Sequence, residues 1–151
     1  MQLNLKVKDR LFSARPGRFG RELRAKFKKA LSETAIKGNE IIKNRTADGV
    51  GINGPFKKYS EYYRIEKKSG WPRTSDRPAF SGDPSGTVNL MVTGQMLGAQ
   101  MTRSFDRKSE IFIRGKEANR KAAKNSRTRP FFGFNEKEER DLQAFFFRRF
   151  P

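Results

Sequence analysis

Between Arg18 and Arg45, the residues Phe19, Leu23, Phe27, Leu31, Ala35 and Ile41/Ile42 recur at helical spacing, and Lys and Arg fill the other faces. No other feature constrains the fold as much. An apolar stripe this long has to be covered by a second layer, so the helix belongs on a core rather than bare in a nucleic-acid groove. Pro16 suits its entry, and Arg15-Pro16-Gly17 separates it from what precedes.

The candidates for the covering layer follow from the rest of the chain. Leu3, Leu5 and Val7 alternate with polar residues, which predicts a short strand. Val88, Leu90 and Val92 alternate likewise and predict a strand leading into a short helix capped by Thr93. Residues 100–105 and 110–114 flank Asp106-Arg107-Lys108-Ser109 as a β-hairpin with a basic tip. Lys57–Lys68 predicts a short helix with Tyr59, Tyr62, Tyr63 and Ile65 on its apolar side. Lys116–Asn125 is rich in Ala and Lys and predicts another.

Arg129–Phe134 reads as an extended segment, after which Asn135 caps a last helix. That helix has Glu136, Glu138, Glu139 and Asp141 at its start and Arg148 and Arg149 at its end, matching the helix dipole. Leu142, Phe145, Phe146 and Phe150 line its core side, while Phe147 falls off the stripe and is available to another subunit. The expected class is α+β: a small antiparallel sheet packed by a long N-terminal and a C-terminal helix. Residues 1–151 form one domain in this reading. A flexible Pro/Gly-rich arm spans 69–87, with Trp71 and Phe80 as anchors for a partner.

Charge sets the second constraint. Lys and Arg total 34 against 16 Asp and Glu, a net +18. Residues 1–56 carry a net +8 and residues 57–130 a net +10, whereas 131–151 are neutral and hold 7 of the 14 Phe. Such self-repulsion calls for a polyanion or an acidic partner nearby. No run approaches the ~20 apolar residues of a membrane span. The first residues have no apolar signal region, so an intracellular soluble product is expected.

Histidine and cysteine are absent. Disulfides, thiol nucleophiles, Ser–His triads, HNH-type nucleases and zinc fingers are thereby excluded. Gly49, Gly51 and Gly54 match a G-x-G-x-x-G spacing, but a helix precedes them and Pro55 follows, so they mark a loop and not a dinucleotide site. The dipole explains the carboxylates at 136–141 without a metal. The reading is of a non-enzyme with no cofactor.

Three segments occur together in order. Arg45-Thr46-Ala47-Asp48-Gly49 is followed by Pro55-Phe56 and Tyr59-Ser60-Glu61-Tyr62-Tyr63-Arg64. Then come Val88-Asn89-Leu90-Met91-Val92-Thr93-Gly94-Gln95-Met96-Leu97 and Arg129-Pro130-Phe131-Phe132-Gly133-Phe134. This ordered set resembles the neck and tail-completion proteins of tailed bacteriophages, the virion-morphogenesis or tail-terminator group. The resemblance covers most of 18–148 and rests on Tyr59, Tyr63, Leu90, Thr93, Gly94, Leu97, Arg129, Pro130, Phe131, Phe132 and Gly133. Lys121-Ala122-Ala123-Lys124 stands where that group often has a His.

The resemblance implies a virion protein, assembled in the host cytoplasm. It implies a ring, usually sixfold, that caps the tail tube and joins it to the head–tail connector proteins, with non-specific contact to genomic DNA in the channel. Trp71, Phe80, Arg107, Lys108 and Phe147 are then the expected subunit or partner contacts. A head-closure or adaptor ring of the same neck, and a basic nucleic-acid-binding protein of ribosomal or nucleoid type, are the alternatives.

Overall fold

The computed structural model describes residues 2–6, 18–75, 79–84, 88–90 and 95–150. The fold is α+β. Strand β1 (Gln2–Lys6) precedes helix α1 (Arg18–Ala47), and a small hairpin of β2 (Val50–Gly51) and β3 (Gly54–Pro55) follows. Helices α2 (Glu61–Ser69) and α3 (Gln95–Gly98) come next, then strands β4 (Gln100–Ser104) and β5 (Lys108–Ile113), and finally helices α4 (Lys116–Thr128) and α5 (Glu136–Arg149).

The apolar stripe decides how α1 lies. Phe27, Ala30, Leu31, Ala35 and Ile42 are buried along it. One stretch packs on the sheet and another on α5. The sheet is antiparallel in the order β1-β5-β4, with Leu3 opposite Ile111 and Thr102 opposite Ile111 from the other side. Strand periodicity turns Ile111 and Ile113 toward the core, where they meet Ala35, Ile42, Met96, Leu97, Ala118, Ala122, Phe131 and Phe132. A second cluster holds Phe27, Leu31 and Phe146, with Leu23 and Phe150 against it. Phe27 meets Phe146 and Phe150 edge-on, with ring centroids 5.5 and 5.3 Å apart.

Local chemistry fixes the helix ends. The Asn135 side chain accepts from the Glu138 amide at 2.9 Å, and the Glu138 carboxylate accepts from the Asn135 amide at 3.0 Å. This capping box starts α5. Ser60 accepts from the Tyr63 amide, so α2 begins at Glu61 and not at Lys57. Residues 57–60 precede the helix as irregular chain.

Two segments read as extended strands take other forms. Val88–Leu90 is irregular, and Leu90 has a positive φ of 22°. Arg129–Phe134 is a bent segment. It ties to the β2–β3 hairpin through one bond, Ile52 N–H to the Pro130 carbonyl at 2.9 Å. Gly51 is needed there, because a Cβ at that position would lie 2.4 Å from the same carbonyl oxygen. The side chain of Phe19, the breaker Arg15-Pro16-Gly17, and residues Val7, Val92, Thr93 and Gly94 lie outside the described residues.

The register of α5 gives a direct test. Phe146 is 5% exposed and Phe147 is 65% exposed. Phe146→Ala should cost about 3–5 kcal/mol, and Phe147→Ala should stay within about 0.5 kcal/mol. Urea unfolding of the dilute protein measures both.

Candidate assembly surface

The residues that carry the ordered motifs come together, and most of them come together inside. Arg129 lies over the Tyr59 ring, 4.7 Å from its centroid. It also donates to the carbonyls of Lys57 at 3.1 Å and Lys58 at 3.4 Å. Tyr63 meets Tyr59 edge-on at 4.8 Å. Burial of the Tyr59 hydroxyl, assisted by nearby Tyr63, pushes its pKa up to about 12, against the opposing pull of Arg129. Phe131, Phe132 and Leu97 are core residues, and Leu90 packs against that core. Gly133 is buried. Leu97, Phe131, Phe132 and Gly133 are thus packing positions, while Pro130 is exposed.

Arg45 joins the same region from the other side. Its guanidinium pairs with the Glu138 carboxylate. It also donates to the carbonyls of Phe131 at 2.7 Å and Gly133 at 3.0 Å. The side chains of Arg45 and Glu138 are only 9% and 15% exposed. In the sequence Arg45 looked like a basic residue suited to a helix end, and Glu138 like a dipole partner. Nothing local announced that they were 93 positions apart and paired.

The arm is closed at its base by its own residues. Trp71 and Phe80 exchange two backbone hydrogen bonds, at 2.8 and 3.0 Å, and their rings lie 4.8 Å apart. Gly70 and Gly82 stand back to back behind them, each at a positive φ, where a Cβ would meet backbone at 2.3 Å. Trp71 and Phe80 are each half-buried and pack against each other. Lys67, fully buried, donates to Asn89 at 2.7 Å and pairs with Asp83 at 3.1 Å. Residues 76–78 and 85–87 lie outside the described residues.

The outer face of the sheet is different. Glu110 sits opposite Arg103 across the β4–β5 ladder and is 1% exposed. It accepts from Lys108 at 2.7 Å and from Arg103. Lys108 holds the Glu110 carboxyl below the usual carboxylate range, with Arg103 adding to the effect and burial opposing it. Arg103 in turn lies over the rings of Phe112 and Phe105, at 5.1 and 5.5 Å. Lys108 was expected at a basic hairpin tip; it is instead drawn onto the sheet face by Glu110. Arg107 is exposed at the turn.

What remains accessible is scattered aromatic and aliphatic surface: Met101, Phe105, Tyr62, Ile65, Ile36 and Phe147. Between these patches the surface is basic. Among the described residues no helix is long and apolar enough to cross a membrane. No protein-family model, curated protein or solved structure matches this chain.

Two predictions follow from this geometry. Arg45→Met and Glu138→Gln should each destabilise the fold by about 3–5 kcal/mol, because each strands a buried partner. Arg45→Lys should recover little, since an ammonium lacks the guanidinium fork. Chemical denaturation of the three variants measures this. The second concerns pH. Because folding lowers the Glu110 pKa, its contribution is present above the ordinary carboxylate pKa and is lost as pH falls below that range. Folding raises the Tyr59 pKa, so stability falls as pH rises from about 10 toward about 12. Stability curves of Glu110→Gln and Tyr59→Phe should be flatter than wild type at the acid and alkaline ends respectively.

Proposed function

We propose that this chain is a structural virion protein of the tailed-phage neck. In this reading it is a tail-terminator or tail-completion ring that caps the tail tube and joins it to the head–tail connector. Its work is assembly, with no chemical step and no cofactor. The supporting observation is convergence. Motif residues far apart in the chain form one packed unit, with Arg129 stacked on Tyr59 and Phe131, Phe132, Leu90 and Leu97 in one core. An ordered set of motifs that share one packing role is what a common scaffold requires.

The surface is compatible with the same role. Phe147, on the outer side of α5, and Met101 and Phe105, on the outer sheet face, are exposed candidates for contact with neighbouring subunits or the tube. A sixfold ring would carry six times the +18 formal charge of one chain, so acidic partner rings or channel DNA would favour its closure. A head-closure or adaptor ring of the same neck would use the same surfaces.

Light scattering over a concentration series, with electron microscopy of any heavy species, tests the reading. Closed rings with a central channel are expected, promoted by raised salt, which screens the repulsion. A protein that stays monomeric both alone and with tail tubes would overturn it.

A further inference from the structure

We propose that the exposed face of the amino-terminal half of α1 is a binding face for the phosphate backbone of double-stranded nucleic acid. This deepens the polyanion element of the function proposed above and rests on it in that respect alone; it does not require the ring.

The exposed face of residues 20–29 carries Arg21, Arg24, Lys26, Lys28 and Lys29, all turned to solvent. Helical spacing places Arg21, Arg24 and Lys28 on one flank and Lys26 and Lys29 on the other, with Ala25 between the flanks and Glu22 between Lys26 and Lys29. The span from Arg21 to Lys29 is about 12 Å along the axis. Glu22 is the one acidic residue in this stretch. Lys28 reaches Asp106 at 3.4 Å, with both side chains well exposed, so that pair is weak. No acidic partner lies within ion-pair distance of Arg21, Arg24, Lys26 or Lys29 among the described residues. The Phe27–Phe146–Phe150 cluster clamps α1 to the end of α5, so these cations are displayed on a fixed surface.

The chemistry selects among polyanions. Membrane-surface helices bury an apolar face in the bilayer, but the apolar face of α1 is already buried against α5 and the sheet. Phe147 is one exposed ring and not a row of anchors. Protein interfaces have cores depleted of charge, whereas here the middle of the face is cations around one alanine. Two cationic flanks along a rigid rod suit the regularly spaced phosphates of a duplex. Recognition would be of charge, without base specificity.

The test is fluorescence anisotropy on the full chain, using a mixed-sequence DNA duplex of about 24 base pairs across about 50–200 mM salt. If Arg21, Arg24, Lys26 and Lys29 all meet phosphates, log affinity should fall against log salt with a slope of about −3.6. The variant Arg21→Glu/Arg24→Glu/Lys26→Glu/Lys29→Glu should cut the slope by about 3 to 4 and the low-salt affinity by about 100-fold. A glutamine set at the same positions should do the same in direction while its thermal unfolding stays like wild type. The control Lys57→Glu/Lys68→Glu/Lys116→Glu/Lys124→Glu changes net charge equally elsewhere and should cost less than about fivefold.

Equal losses in the two reversal sets would overturn the assignment, since net charge alone would then suffice. So would binding to phosphatidylserine vesicles without binding to the duplex. Rings that ignore the duplex would sink this inference and leave the ring reading intact. A monomer that binds it through these residues would do the opposite.

Discussion

The buried guanidinium of Arg45 is the constraint on which the rest of the molecule depends. It sits at the end of α1 and makes contact with three acceptors in two places: the Glu138 carboxylate at the start of α5, and the carbonyls of Phe131 and Gly133 just before it. A buried ion pair is poor evidence of stability by itself, because desolvation offsets much of the attraction. Its value here is geometric. The fork accepts only one arrangement of its partners, so it fixes where the Arg129–Phe134 segment crosses α1. From that crossing follow the burial of Phe131 and Phe132, the Pro130 carbonyl's bond to Ile52, and the place of Arg129 over Tyr59. Glu138 also completes the capping box of α5, so one carboxylate serves both the helix start and the guanidinium.

The same economy governs charge. The chain has few acids, and several of them are used on cations within the fold. Glu138 meets Arg45, Asp83 meets the buried Lys67, and Glu110 lies between Arg103 and Lys108. Glu138 and Asp83 offset buried cations, whereas at Glu110 it is the carboxylate that is buried and the two cations that offset it. The consequence is a surface left strongly basic, densest on the first half of α1. The buried cations Arg45 and Lys67 are matched by acids within the fold.

Much of the fold was legible because periodicity reports burial. The stripe of α1, the β4–β5 hairpin and the core side of α5 follow from spacing alone, as does the exposure of Phe147. The strand expected at 88–92 was misleading where it can be checked: Val88–Leu90 is irregular, with Leu90 at a positive φ. Arg129–Phe134 was apolar enough to suggest a strand, but its carbonyls are claimed by Arg45 and Ile52 and it bends instead. Long-range pairing left no local trace. Lys67 looks like any lysine on a basic helix until Asp83 and Asn89 close over it.

Native-state hydrogen exchange tests this account most directly, comparing wild type with Arg45→Met at the amides of Ile52, Phe56, Arg129 and Glu138. If the guanidinium organises this region, the four amides exchange as one cooperative unit in the wild type, and the variant loses their protection together. Separate exchange in the wild type, or a variant that loses protection at Glu138 alone, would contradict it.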